Sequence, residues 1–336
     1  MDTAIVWSKD YELHDTGSHP EGPDRVTEIV KHLKSLQAWK RLVEVAPRPA
    51  AVDDVLMVHT EAHVDLVRRV AESGGGEIDE TIISPRSYEI ALLAAGGVLT
   101  AMEQWGERRV SFALVRPPGH HATSDRVMGF CIFNNVAIAA RTLLADGMQR
   151  VAIVDWDVHQ GNGTQAVFLE EPRVLFCSLH QWPLYPGSGW FTECGAGQGE
   201  GLTVNVPLPP GCRDGDYAGA LEQVIEPIVD QFAPEALLVS AGFDPHADEQ
   251  LASLQMSEAG FAAMALRVLR LAQRHAGGRL TLALEGGYSR PATSRSVAAV
   301  LEALATEEAP DVGRPGPKAQ EHIDRAREVQ SRYWRL

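Results

Sequence analysis

Short apolar runs rich in Val, Ile and Leu alternate along the chain with longer stretches in which apolar residues recur every three or four positions. The short runs, Thr3–Trp7, Val110–Val115, Val151–Val154, Val174–Leu179, Leu202–Val206, Ala236–Ser240 and Leu280–Leu284, predict strands. Several are apolar on both faces, as a strand buried between helical layers requires. The periodic stretches predict helices near residues 23–40, 60–73, 86–105, 134–146, 215–232, 257–275 and 293–306, with a last one near 318–333 after Pro315 and Pro317. This alternation predicts an α/β fold, a mostly parallel sheet with helices on both faces. Gly74–Gly76 and the Gly/Pro-rich stretches at 186–201 and 207–215 read as loops. With no internal repeat and no long linker, residues 1–336 are expected to form one domain.

Composition narrows the function classes. Hydrophobic residues make up 45% of the 336 and charged residues 22%, enough for a sizeable core and too apolar for global disorder. Against 30 basic residues stand 45 acidic ones, a net charge of −15 that would repel a phosphate backbone and mildly attract cationic substrates. Direct nucleic-acid binding is therefore not expected. The four cysteines, Cys131, Cys177, Cys194 and Cys212, form no CxxC pair, which fits a reduced intracellular protein better than a disulfide framework or a thiolate zinc site. The opening MDTAIVWSKD lacks a basic stretch followed by an apolar one, and no run approaches the ~18–20 apolar residues that span a bilayer. The expectation is a soluble cytoplasmic protein without a membrane partner.

Ligands of open parallel sheets bind beyond the carboxyl ends of the strands. Reading outward from the strands gives Arg116-Pro-Pro-Gly-His120-His121, then Asp155-Trp-Asp157-Val-His159, then His180, then Ala241-Gly-Phe-Asp244, then Glu285-Gly-Gly-Tyr288. Such residues gather at strand ends when they line one site. Asp157 and His159 are two apart and would share a side in extended backbone, and Asp244 can join them from a neighbouring strand end. Two carboxylates and one imidazole leave coordination positions open, as a catalytic zinc site does, and the oxygen-rich set also suits Fe(II), Co(II) or Mn(II). Taken alone, Asp157 as a helix cap and His159 as a core residue would be the commoner arrangement. His120 and His121 suit general acid/base work if each has its own partner, and Asp155 and Asn162 are natural ones. An aspartate favours a charged imidazole; an amide leaves the other nearer neutral. Tyr288 can donate to a developing oxyanion, or simply anchor its loop. Phe130, beside Gly129, and Tyr185 can wall a narrow channel or belong to the core, and His180 can be a packed histidine. Together these parts suit metal-dependent amide hydrolysis. No G-x-S-x-G elbow, phosphate loop or HExxH motif competes.

The stretches HPEGPDR (19–25), RPPGHHA (116–122), MGFCIFNN (128–135), DWDVHQGNGTQ (155–165), SLHQWPLYPGSG (178–189), TVNVPLPPG (203–211), SAGFD (240–244) and EGGY (285–288) resemble, in order, the zinc-dependent histone deacetylase superfamily. That superfamily includes bacterial deacetylase-like amidohydrolases and acetylpolyamine amidohydrolases. GNGTQ and EGGY are more similar to its class II branch. The resemblance implies an arginase/deacetylase fold with a central eight-stranded parallel sheet. It implies Asp157, His159 and Asp244 as zinc ligands, Tyr288 as oxyanion donor, and His121 as general base with His120 as its electrostatic partner. Behind them it sets Asp155 against His120, and Asn162 where class I members carry an acid behind His121. Phe130 and Tyr185, with Gly129, Gly286 and Leu251, correspond to the acyl-lysine tunnel. A structural monovalent cation, usually potassium, is implied at backbone oxygens of Asp155, Asp157, His159 and Leu179 and the hydroxyl of Ser178.

Three departures bear on specificity. Gln160 replaces a histidine that usually follows the metal-binding one, and Tyr185 replaces a frequent phenylalanine. Leu251 stands where a polyamine-selective branch carries an acidic gatekeeper, which argues for acyl-lysine-like or neutral substrates. Asp79 or Glu80 is placed at the rim, able to accept hydrogen bonds from a substrate. The leading expectation is a zinc-dependent deacetylase of N-acetylated amines, acetyl-lysine side chains first. Small acetylated amines or polyamines are the enzymatic alternative, and a weak acyl-lysine-binding pseudo-deacetylase the non-enzymatic one. A homo-oligomer is compatible with the sequence.

Overall fold

The computed structural model describes residues 3–106 and 110–336. Among these residues ten strands run β1 Thr3–Val6, β2 Leu42–Val45, β3 Gly76–Ile78, β4 Thr81–Ile83, β5 Val110–Ala113, β6 Val151–Asp155, β7 Val174–Gln181, β8 Thr203–Leu208, β9 Ala236–Ala241 and β10 Leu280–Leu284. Eight of them form one sheet in the order β2-β1-β5-β10-β9-β6-β7-β8, and every pairing in it is parallel. The expected α/β class is borne out. The inner strands β1, β5, β6, β9 and β10 are buried at every residue, as their unbroken apolar runs foretell. Two of the polar residues in this layer pair with each other: Ser111 and Thr281 share a 2.8 Å hydrogen bond across β5 and β10.

The helices are α1 Arg25–Lys34, α2 Val52–Leu56, α3 Glu61–Glu72, α4 Ser87–Glu103, α5 Asn135–Ala145, α6 Asn162–Phe168, α7 Asp214–Ala220, α8 Glu226–Phe232, α9 Glu258–His275, α10 Arg290–Thr306 and α11 Pro317–Gln330. The α1, α9 and α10 layer packs against β1, β9 and β10, while α4 and α5 pack together over β1, β5, β10, β6 and β9. Starts are set by side-chain caps: Asn134 accepts the Ala137 N–H at 3.0 Å before α5, and Thr60 accepts the His63 N–H at 3.2 Å before α3.

Several boundaries differ from the sequence pattern. The helix expected over 23–40 stops at Lys34, because Leu36 is extended and Gln37–Arg41 forms a separate 3₁₀ turn. The one expected over 215–232 is α7 and α8 joined through a π-helical turn, Leu221–Ile225. Strand β7 runs on to Gln181, so His180 lies inside it, its two ring nitrogens 3.0 Å from Ser178 Oγ and from the Gly189 carbonyl. It is a packed, hydrogen-bonded histidine. The edge strand β2, the antiparallel hairpin β3–β4 (which Gly76 opens), and the short helices α2 and α6 were not expected.

Registers line up the strand ends. Asp155 at the end of β6 sits opposite Ser178 on β7 and Ser240 on β9, and Leu284 on β10 opposite Ala241 on β9. The segments that follow β5, β6, β9 and β10 thus leave the same edge of the sheet together.

Candidate active site

Beyond β6 the chain turns at once. The Asp157 N–H donates to Asp155 Oδ1 at 3.1 Å and the His159 N–H to Asp157 Oδ1 at 2.9 Å, two successive side-chain-to-backbone turns. Asp157 and His159 therefore converge through a turn past the strand end, not by the alternation of extended backbone. His159 Nδ1 lies 3.1 Å from Asp157 Oδ1 and 3.2 Å from Asp244 Oδ2. Both carboxylates are fully buried. Asp157 Oδ2 accepts the Gly286 N–H at 2.8 Å and Asp244 Oδ1 the Val158 N–H at 3.0 Å, while Asp244 Oδ2 has no hydrogen-bond partner. Adjacent buried carboxylates with an orphan oxygen cost on the order of several kcal/mol unless a cation compensates them. The ligand atoms of the three residues lie within 4.8 Å of one another, a donor set that fits a divalent ion such as zinc with positions left open. Gly286 permits this crowding: a Cβ there would stand 2.1 Å from Asp244 Oδ2 and 2.6 Å from Asp157 Oδ2.

The loop after β5 carries the histidine pair. His120 Nδ1 is 2.9 Å from Asp155 Oδ2, and its Nε2 is 3.9 Å from Asp157 Oδ1. Burial opposes a charge on this ring, but Asp155, Asp157 and Glu285 outweigh it and raise its pKa to about 10. His121 Nδ1 is 2.7 Å from Asn162 Oδ1. An amide oxygen only accepts, so Nδ1 carries the hydrogen and Nε2 keeps its lone pair. Burial, then the neighbouring charges on His120 and His159, hold His121 well below the ordinary imidazole value. One ring is thus cationic and its neighbour neutral, 4.0 Å apart between centroids.

A cavity of about 460 Å³ opens over these groups, lined by His120, His121, His159 and Tyr288 at its base. Gly129, Phe130, Leu184 and Tyr185 line its walls, with Glu80 and the half-exposed Leu251 among the other lining residues. Gly129 and Phe130 both adopt left-handed backbone, φ +58° and +66°, and a Cβ on Gly129 would lie 2.2 Å from the His121 ring. The hairpin tip holds this turn, Glu80 Oε1 accepting the Gly129 N–H at 2.7 Å and Thr81 Oγ1 the Phe130 N–H at 3.0 Å. Glu80 Oε1 also accepts the Tyr185 hydroxyl at 2.6 Å, bridging the two aromatic walls. Tyr185 stands edge-on to His121 at 5.1 Å and His159 at 6.2 Å, and Phe130 edge-on to Tyr288 at 5.7 Å. Asp79 faces outward to Arg126 at 3.4 Å. Of the two acids expected at the rim, Glu80 is the one that lines the cavity.

The family model of the histone deacetylase domain matches residues 19–304. The chain belongs to the histone deacetylase family. A probable deacetylase of Archaeoglobus fulgidus is 38% identical over 356 aligned residues, which cover 100% of this chain and 99% of that protein. A histone deacetylase-like amidohydrolase of Pseudomonas aeruginosa is 38% identical over 291 residues, covering 85% of this chain and 77% of that one. The crystal structure of the HDA15 HD domain superimposes with a TM-score of 0.92 at 35% identity, covering 99% of this chain and 95% of that chain. The protein is a hydrolytic deacetylase with the arginase/deacetylase fold. No helix among the described residues is long and apolar enough to cross a membrane.

In this histone deacetylase family member, some residues around the site carry no signal in the apolar pattern. Arg25, buried in α1, donates to the carbonyls of Gly287 at 3.0 Å and Glu285 at 2.7 Å, and its guanidinium lies 4.7 Å from the Tyr288 ring centre. Glu285, noted only as part of EGGY, accepts the N–H groups of Gly119 at 2.7 Å and His120 at 3.2 Å. Motif position could have marked both, Glu285 in EGGY and Arg25 at the end of HPEGPDR, although neither stretch names their partners.

Proposed function

We propose that the protein hydrolyses N-acetylated primary amines, acetyl-lysine side chains first, with a divalent metal, zinc first, held by Asp157, His159 and Asp244. The observation that carries this reading is the cluster of two buried carboxylates and one imidazole, Asp157, Asp244 and His159, of which His159 lines a cavity walled by Phe130 and Tyr185. When bound, the cation supplies Lewis-acid polarisation of the amide carbonyl. Phe130 and Tyr185 exclude water from an extended acyl-amine chain and align it. His121 Nε2, free to accept because Nδ1 is committed to Asn162, takes a proton from the attacking water. His120, charged and paired with Asp155, keeps its neighbour neutral beforehand and stabilises negative charge in the transition state. Tyr288 donates its hydroxyl to the oxyanion. As the C–N bond breaks, His121 returns the proton to the leaving amine, giving acetate and the free amine.

A monovalent cation, potassium first, belongs to the same reading, at the backbone oxygens of Asp155, Asp157, His159 and Leu179 and at Ser178 Oγ. Its support is the pairing of Asp155 with Ser178 across β6 and β7, and no catalytic step is assigned to it. Residues 1–336 are read as one deacetylase domain, and a cytoplasmic setting accords with four buried, unpaired cysteines.

Small acetylated amines form the second reading. Glu80 in the cavity wall favours it, while Leu251 at the gatekeeper position opposes it. Acetate release from metal-loaded enzyme decides: we expect an acetyl-lysine peptide to be turned over faster than N-acetylputrescine and N-acetylspermidine at matched concentration. Preference for the amines would replace the first substrate class by the second. No acetate from any of them would overturn both.

A further inference from the structure

The segment between β9 and α9 begins at Gly242, carries Asp244, passes the rim residue Leu251 and closes on itself where the Ala247 N–H donates to the Met256 carbonyl at 2.9 Å. It contains an acid that the catalytic reading does not use. Glu249 Oε2 accepts two backbone N–H groups from the next strand end, Tyr288 at 2.6 Å and Ser289 at 3.0 Å. Its other oxygen accepts the Gln250 N–H at 3.1 Å, and its own N–H donates to the His246 carbonyl at 3.0 Å, so the side chain is fixed within its loop.

The N–H groups that Glu249 holds open α10. Ser289 is the residue capping that helix, and its own side chain makes no capping bond. A carboxylate from another segment supplies one, where the helix dipole favours negative charge. The same bond fixes the backbone on which the Tyr288 ring is mounted. Asp244 and Tyr288 leave neighbouring strands β9 and β10, and two contacts tie their segments near the sheet: Glu285 N–H to the Ala241 carbonyl and Phe243 N–H to the Gly286 carbonyl, both at 3.1 Å. Beyond Gly286 and Gly287 the backbone is held on its carbonyl side, by Arg25 at the Gly287 carbonyl and by Arg290 at the Tyr288 carbonyl, both at 3.0 Å. Glu249, five residues after Asp244, holds its N–H side from the ligand's own loop.

We infer that Glu249 is a positioning residue for the oxyanion-donating tyrosine, holding the Tyr288 backbone at a fixed place relative to the Asp244 segment. The inference rests on the reading of Tyr288 as the oxyanion donor. A donor displaced by a fraction of an ångström loses much of its transition-state bond and little of the substrate's ground-state binding.

The test is a double-mutant cycle in metal-loaded enzyme with kcat, KM and Tm measured for wild type, Glu249→Ala, Glu249→Gln, Tyr288→Phe and Glu249→Ala/Tyr288→Phe. Glu249→Ala is expected to lower kcat roughly tenfold, less than removal of the hydroxyl itself, with KM within about twofold. Glu249→Gln, which keeps an acceptor oxygen, recovers part of that loss. In the Tyr288→Phe background Glu249→Ala has no further effect on kcat, because there is no hydroxyl left to misplace. An equal kcat loss in both backgrounds would overturn the inference, assigning Glu249 a general structural part, as would a loss confined to KM, which would place its effect at the Leu251 rim. Should Glu249→Ala not fold, the Gln variant alone decides: full wild-type kcat in it together with an unchanged Tm overturns the inference. Full turnover by Tyr288→Phe overturns the underlying reading of the tyrosine instead, and is seen separately from either Glu249 result.

Discussion

Tyr288 is placed to donate its hydrogen while staying neutral. Its ring lies between the Arg25 guanidinium and the edge of Phe130, and burial pushes the phenol well above its ordinary value, against the pull of Arg25. A phenol that keeps its hydrogen at working pH is the right partner for a transient oxyanion. Tyr288→Phe deletes one oxygen from the cavity and leaves Asp157, His159 and Asp244 untouched. The expected result is a fall of ~10²–10³ in kcat, with metal content by elemental analysis and Tm unchanged. Undiminished turnover would remove Tyr288 from that part. The principal side chains were legible because they sit at the ends of apolar runs, where a buried strand offers no ordinary place for His and Asp. Arg25 and Glu249 were not, since each is defined by partners far away in the chain: Arg25 reaches Gly287 across 262 positions and Glu249 reaches Tyr288 across 39. Spacing within a motif does not encode such contacts.

The element that joins the N-terminal segment to the site is held by one arginine. Arg116, at the end of β5, is fully buried, with Nε and Nη2 each 2.7 Å from a different oxygen of Glu21. Its Nη1 donates to the carbonyls of Tyr11 and His14, both at 2.6 Å. Glu21 also meets Arg25 at 3.3 Å, so this buried acid links β5, α1 and the segment between β1 and α1. Removing one partner of a buried, bidentate pair strands the other, at a cost of about 3–5 kcal/mol. Arg116→Ala is therefore expected to destabilise the protein by that amount in chemical denaturation, and a loss below about 1 kcal/mol would contradict the assignment. The strands that Arg116 helps frame were legible because burial on both faces leaves few polar positions to blur them. Strand β2 was not: it is an edge, its four residues are only partly covered, and Glu44 interrupts its pattern. The hairpin β3–β4 has three residues per strand, too few for a period to show, although its tip supplies the Glu80 and Thr81 contacts that shape the tunnel wall. Helix α6 is hidden by Gly161 and Gly163, which read as loop but bring the backbone against Asp155 and His121.

At the scale of the whole molecule, buried histidines set how stability responds to acid. His14 packs its Nδ1 2.6 Å from Ser87 Oγ, joining the N-terminal segment to α4. His59 accepts the Asn134 backbone N–H on Nε2 at 2.9 Å, an acceptor duty only the neutral ring performs, and so ties the segment before α3 to the start of α5. Burial lowers His14 to about 4 and His59 to about 3; in His59 the adjacent His63 adds to the effect. In the unfolded chain each returns to about 6.5. Between these limits the unfolded state binds a proton that the folded state does not, so stability falls as pH falls from 6.5 towards 4, by about 1.4 kcal/mol per pH unit per group. Glu285 works the other way: burial raises it to about 7, so the folded state takes up its proton first and gains stability on acidification down to its unfolded value. It offsets one histidine, and His120, raised to about 10, contributes stability that is complete below pH 6.5 and is lost only towards pH 10. Burial lowers His63, His121 and His180 as well, His180 to about 3, and raises Asp155 and Asp244, the latter to about 6, so the neutral histidines outnumber the raised acids and leave a net loss on acidification through this window. A comparison with His59→Gln isolates one of them, because metal-ligand protonation and Glu285 are common to both proteins and cancel. Denaturant unfolding at pH 7, 6 and 5 is expected to show wild type losing stability more steeply than His59→Gln, by about one proton's worth of slope. Equal slopes would mean that His59 is protonated in the folded state, and that the Asn134 contact does not require the neutral ring.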